Sequence, residues 1–275
     1  MPVCYCIELL HEAVTKPRLA SNMSTPPPAP VPSAQAISAA EAAGQTPAKS
    51  PGLALATLSP RGYLPAAAGV AYLTAWAAGL AVWPVNLALN ATAAQVAASY
   101  RAHPAEAVAQ YLLTEGLAGI LLGVVLACVL LPQVGDRVTA RTTGAALLGA
   151  IAVAISLAQC VIGLLLTAAA TSHDTARCGD LSALVTRLDG VKMIAIAGAA
   201  AMIAAAARTP GPLVSGWLRV VTVPLALALI ASGYAYLTLT NPLAWTAFIS
   251  GLLLLLWVTG AGVATTIRHR RGSEG

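Results

Sequence analysis

Residues 108–131 read VAQYLLTEGLAGILLGVVLACVLL, 24 residues that carry one charged side chain, Glu115. As a helix rising about 1.5 Å per residue, the run is ~36 Å long, enough to cross a hydrocarbon layer roughly 30 Å thick. Pro132 closes it. Upstream, His103-Pro104-Ala105-Glu106 puts a proline and an acid in the first turn, where the missing N–H is harmless and the helix dipole favours negative charge. This segment reads as a transmembrane helix.

Five more runs of the same kind surround it, at about Leu64–Val82, Ala145–Ala169, Val191–Ala207, Trp217–Leu239 and Leu243–Thr266. Pro65 is expected in the opening turn of the first, and Trp83-Pro84 at its far interface. Pro224 is expected to bend the fifth. Asn241-Pro242 fits an N-cap followed by the first helical residue, which would make a tight hairpin between the last two spans. The whole chain agrees with this reading: of 275 residues, 58% are hydrophobic and 9% charged, with a mean hydropathy of +0.77. A soluble domain with about 25% charged residues is excluded. The expected fold class is all-α, a polytopic membrane helix bundle with six transmembrane helices over residues 61–267.

Before the first span, residues 24–60 hold Pro26, Pro27, Pro28, Pro30, Pro32, Pro47, Pro51 and Pro60 among Ala, Ser and Thr. That mixture cannot repay the entropy of ordering, so residues 1–60 are expected to be a disordered cytoplasmic tail. The first 22 residues contain Glu8, His11 and Glu12 and lack the apolar core of an export signal. Met23 opens the low-complexity stretch and is the expected translation start.

The net charge of +5 does not indicate nucleic acid, because the basic residues flank the apolar runs. Six spans divide them into two sets. Lys16, Arg18, Lys49, Arg61, Arg137, Arg141, Arg208, Arg219, Arg268, Arg270 and Arg271 fall on one side, and Arg101, Arg177, Arg187 and Lys192 on the other. The excess of basic residues marks the cytoplasmic side, which places both termini there. The basic C-terminus, residues 268–275, is an anchor that could also bind anionic lipid.

Two loops on the other side are long enough to have structure. Thr92-Ala93-Ala94-Gln95 has capping-box spacing ahead of a short surface helix, Val96–Tyr100, that stops at His103-Pro104. In the second loop, Asp180 is expected to cap a helix whose Leu181, Leu184, Val185 and Leu188 form a stripe, lying in the interface or sealing the bundle's mouth. Arg187, Asp189 and Lys192 around Gly190 are read as solvated loop charges at the entrance of the fourth span.

No Gly-x-x-x-x-Gly-Lys-Ser/Thr, His-Glu-x-x-His or Gly-x-Ser-x-Gly motif is present. All four His lie outside the spans, so paired haem ligation and a histidine-activated Ser250 are not expected. The five Cys lack metal or disulfide spacing. A catalytic site, a cofactor and a bound metal are therefore not expected.

Glu115 is the one acid inside a predicted span, and a carboxylate in hydrocarbon needs a partner. Counting residues places Gln159 at about its depth, roughly 10 Å below the outer surface. Thr74 and Trp76 lie at the same level, and Tyr234, Tyr236 and Ser250 within about two turns of it. These groups could ring a small polar cavity with Lys192 as counter-charge at the outer mouth. Alternatively, Glu115 hydrogen-bonds Gln159 or a tyrosine hydroxyl and only fixes packing. Tyr234, Tyr236, Trp83 and Trp245 also suit the membrane interface. Gly119-x-x-x-Gly123 and Gly260-Ala-Gly262 suit close helix packing within the bundle.

The stretches Ala68-Gly69-Val70-Ala71-Tyr72, Trp76 to Trp83-Pro84, Asn90-Ala-Thr-Ala-Ala-Gln-Val, Glu115-Gly116-Leu-Ala-Gly119 and Asp189-Gly190-Val-Lys192 together resemble uncharacterised six-span integral membrane proteins of actinobacteria, in families known only as domains of unknown function. The resemblance covers about residues 60–266 and implies a bacterial inner-membrane location; it carries no mechanism.

The expected function is that of a non-enzymatic membrane component that binds a protein partner or senses envelope conditions. A small-solute or proton-coupled permease using Glu115 is the alternative, and a membrane-embedded lipid-modifying enzyme comes third. The partners expected are the lipid bilayer and an unknown protein or small solute, without nucleic acid.

Overall fold

The computed structural model describes residues 60–83, 87–131, 139–206, 215–243 and 245–273. The expected tail and the start at Met23 lie outside these residues, as do Pro84 and Pro132. Among the described residues there are seven α-helices and no strand. They are α1 (Pro60–Val82), α2 (Ala93–Ala102), α3 (Pro104–Leu130), α4 (Ala140–Thr171), α5 (Thr175–Ala206), α6 (Gly216–Thr238) and α7 (Trp245–Ser273). All but α2 are long and apolar enough to cross a membrane, and the all-α six-span architecture is as expected.

The six long helices form a closed ring in chain order. Each packs on the next and α7 returns to α1, while α3 also reaches α7 across the centre. Short connections between antiparallel helices favour such an order. Tyr72, Leu122, Val125, Ile196, Ile203, Leu225, Trp257 and Val258 fill the interior. Val220, Val223, Leu227, Leu147 and Val161 are exposed on the outer surface. A water-soluble protein would not present so broad an apolar surface, but a bilayer solvates it.

Helix α5 differs from expectation. The fourth span and the separate helix foreseen over Asp180–Leu188 are one uninterrupted helix of 32 residues. A glycine in a helix costs about 1 kcal/mol, and Gly190 is held by packing against Gly233 of α6. The charges around it are mostly paired within the bundle, so none of them forces a loop. At about 1.5 Å per residue, α4 and α5 are each ~48 Å long, well beyond a ~30 Å hydrocarbon layer.

The surplus length gathers at the end that carries α2. Thr92 caps α2 through the expected box with Gln95. Val96, Ala97 and Tyr100 are nevertheless buried, because α2 packs on α4 and α5. Trp83 is buried there too, edge-on to Tyr100 at 4.8 Å between ring centroids. Arg101 Nε donates to Ala170 O at the C-terminus of α4 (3.1 Å), satisfying one of the carbonyls a helix end leaves open.

Two proline expectations also change. Helix α1 begins at Pro60, so Pro65 lies inside it. Asn241 does not cap α7. It belongs to a 3-10 turn, Asn241–Leu243, where its Oδ1 accepts from Leu89 N (3.1 Å) and its Nδ2 donates to Asn90 Oδ1 (2.7 Å). The hairpin between the last two spans is thereby tied to the segment following α1. The glycine pairs pack as expected: Gly119 meets Ser156, Gly260 the ring of Trp217, and Gly262 the backbone of Pro65.

Candidate functional site

Glu115 stands on a local widening of α3. Residues Leu112–Leu117 form a π-helical turn between the α-helical halves Pro104–Tyr111 and Ala118–Leu130. Single π turns within α-helices frequently occur at functional sites, since the extra residue redirects a side chain. Just beyond the turn, Gly119 leaves room for Ser156 of α4 against the α3 backbone. That close approach brings a hydroxyl to the carboxylate: Ser156 Oγ donates to Glu115 Oε2 at 3.0 Å.

The same oxygen accepts from Lys192 Nζ at 2.7 Å. Lys192 belongs to α5, which adjoins α4, so the ion pair crosses the bundle interior. Lys192 also lies 2.7 Å from Asp189 Oδ1, one turn earlier on α5. The side chains of Lys192 and Glu115 are 8% and 12% exposed, and that of Asp189 is 21% exposed. Gln159 of α4 borders the group: its Nε2 donates to Val185 O (3.0 Å) and lies 3.5 Å from Asp189 Oδ1. Its Oε1 is buried without a hydrogen-bond partner.

Fifteen residues separate Glu115 from Leu130, and fourteen separate Lys192 from Ala206. At 1.5 Å per residue, both lie about 21–23 Å from the end of the bundle opposite α2. Asp189 lies one turn nearer the α2 end.

Beside Lys192 is a cavity of about 20 Å³, lined among others by Tyr72, Trp76, Thr114, Ser156 and Leu254. That space suits one water-sized species. With every group ionised, two carboxylates and one ammonium carry a charge of −1. Burying an ion costs several kcal/mol, which a partner at hydrogen-bond distance offsets. The arrangement can therefore hold a proton or a small cation against the second carboxylate.

The structure brings together Glu115, Lys192 and Gln159 of the expected cluster, with corrections. Lys192 is not at an outer mouth but 6% exposed inside the bundle. Glu115 bonds Ser156 and Lys192 rather than Gln159. Tyr236 of α6 is half-buried within electrostatic range of Asp189 and Lys192. Tyr234, 57% exposed, faces outward and takes no part. Ser250 belongs to a different buried set, where Ser232 Oγ lies 3.2 Å from Ser250 Oγ and 3.0 Å from Thr246 Oγ1. Thr74 turns its hydroxyl back to Val70 O (3.0 Å), whereas Trp76 does line the cavity.

Asp189 and Ser156 were missed. The i,i+3 spacing of Asp189 and Lys192 is a readable signal only if the helix continues through Gly190. A lone serine in an apolar run carries no such signal. Among the described residues, no three His, Cys, Asp or Glu stand close enough to hold a metal ion.

No family model, curated protein or solved structure matches the chain.

Proposed function

We propose that the protein is a small proton-coupled permease of a bacterial inner membrane, with Glu115 as its proton-carrying group. The observation that carries this reading is the sharing of one lysine by two carboxylates inside a membrane-spanning bundle. A packing device needs one acid per base; the second acid leaves a charge that only a proton or cation neutralises. Ionisable groups within membrane bundles typically mark ion pathways and proton relays. The π turn at Glu115 and the adjoining cavity support the same assignment.

The cavity's size limits what this conformation holds to a proton on a carboxyl or a species as small as water. A larger solute requires the helices to part. With Lys192 inside the bundle, the positive-inside count becomes more one-sided and supports cytoplasmic termini, with α2 on the outer face. The triad adds polar groups to the bundle interior beyond Glu115, and this favours a permease over a partner-binding component.

The test is transport. Reconstituted protein with a trapped pH dye and an imposed pH gradient is offered sodium, potassium, ammonium and small neutral solutes in turn. At least one should accelerate collapse of the gradient over protein-free vesicles, and Glu115→Gln should slow that collapse at least tenfold. Rates equal to protein-free vesicles for every solute overturn the proposal.

A further inference from the structure

We infer that Asp189 is a second proton-carrying residue, and that Asp189 and Glu115 exchange a single proton through the ammonium of Lys192. The inference rests on the proton-coupled reading and names a route to its site. Lys192 is within 2.7 Å of an oxygen on each acid, so one ammonium touches both ends of the route.

The two acids differ in exposure. Asp189 is 21% exposed against 12% for Glu115, and it lies one turn nearer the α2 end of the bundle. Asp189 is thus the outer end of the route, and Glu115, flanked by Ser156, is the inner end.

Gln159 supplies an independent observation. Its amide nitrogen approaches Asp189, while its carbonyl oxygen is buried with no donor. Buried acceptors are rarely left unpaired. The group around Asp189 is thus one hydrogen-bond donor short, which an added proton would supply.

The transfer balances without a co-reactant. Lys192 gives a proton to Glu115, breaking one N–H bond and forming one O–H bond. It takes the proton of Asp189, whose O–H electron pair stays on the carboxylate. Lysine remains an ammonium, and the triad is neutral before and after. At no stage does an unpaired charge remain in the bundle, which would cost several kcal/mol per ion. The other titratable groups facing the triad are Tyr72 from α1, Tyr111 from α3, Cys160 from α4 and Tyr236 from α6. None carries a positive charge that could take the place of Lys192.

Infrared spectroscopy of the full-length protein in liposomes tests this through the carbonyl stretch of protonated carboxyls, identified by its shift in D2O. Wild type should show this band near neutral pH. Glu115→Gln and Asp189→Asn should each lose it, because either change leaves one acid for one lysine. Absence of the band from wild type overturns the inference, as does its persistence in either variant. If a variant does not fold, the wild-type band still decides the matter. It must be present and must exchange with D2O, and a band that resists exchange overturns the relay. Should the vesicles show no solute-linked flux while the band behaves as expected, transport fails and the shared proton stands.

Discussion

Gly190 of α5 and Gly233 of α6 face each other so closely that a Cβ on Gly190 would stand 2.7 Å from Gly233 O. A Cβ on Gly233 would stand 2.8 Å from Gly190 O. The contact is reciprocal and its nearest atoms are backbone, with the side chains of Leu237 and Ile194 crowding the same space. Gly190 lies between Asp189 and Lys192, so this crossing fixes the turn that presents both charges. Gly233→Ala should lower stability by about 1–3 kcal/mol, the usual cost of overpacking. Thermal unfolding in detergent would show it as a lower Tm; an unchanged Tm would mean that the helices are not held at this distance.

Removing charges from the triad one at a time should give unequal results. Lys192→Met leaves the buried Glu115 and the partly exposed Asp189 without a base and should cost about 3–5 kcal/mol. Glu115→Gln leaves a one-to-one pair and should be close to neutral. Combining Lys192→Met with Glu115→Gln and Asp189→Asn should recover most of the loss. Denaturation of the four proteins side by side provides the check, and equal Tm values for Lys192→Met and wild type would contradict the pairing.

Trp257, 1% exposed, donates its indole N–H to Thr222 Oγ1 at 2.9 Å, joining α7 to α6. Thr222→Val keeps the shape and strands the indole donor. A buried donor left without a partner costs about 1–3 kcal/mol. Trp257→Phe combined with Thr222→Val removes both polar partners and should cost less than the sum of the two single changes, a comparison that a double-mutant cycle measures directly.

Cys178 is near the α2 end of α5, yet it is fully buried, and its neighbour Gly179 meets Ala93 of α2. A membrane-impermeant maleimide should leave Cys178 unlabelled in the native protein and label it after unfolding. A cysteine at exposed Arg177 should react at once. Rapid native labelling of Cys178 would mean that α2 does not cover this face.

Tyr100, on α2 outside the spans, has its hydroxyl pushed above the ordinary value of 10.0, first by burial. Its hydroxyl lies 2.8 Å from that of Tyr111. The folded state thus holds this proton more tightly than the unfolded chain does. The contribution to stability is complete below about pH 10 and declines as pH rises toward the folded-state value. Wild type should therefore lose stability above pH 10 more steeply than Tyr100→Phe, as alkaline titration of the Tm would reveal.

The contrast between Glu115 and Asp189 separates what was legible from what was not. Glu115 stood out because it interrupts a 24-residue apolar run, and hydrocarbon penalises such a group wherever its neighbours are. Asp189 lies among Arg187, Gly190 and Lys192, a composition equally suited to a solvated loop. Only its place in an unbroken α5 beside α4 sets it against Lys192 and Gln159. Tyr234 and Tyr236 show the same gap within one helix: two residues apart, one faces outward and the other the triad. A bundle helix with apolar residues all around carries no stripe to say which face turns inward.

The sequence by itself determined the six spans and the capped helix before α3. Hydrophobic length, charge placement and capping are local, and each acts whatever the rest of the chain does. The tertiary structure alone decided that Lys192 serves two acids and that Ser156 joins them. It likewise settled that Gly190 sits within a helix. Those facts depend on which helices adjoin in the ring and how closely they approach, and glycine contacts between residues distant in the chain set both.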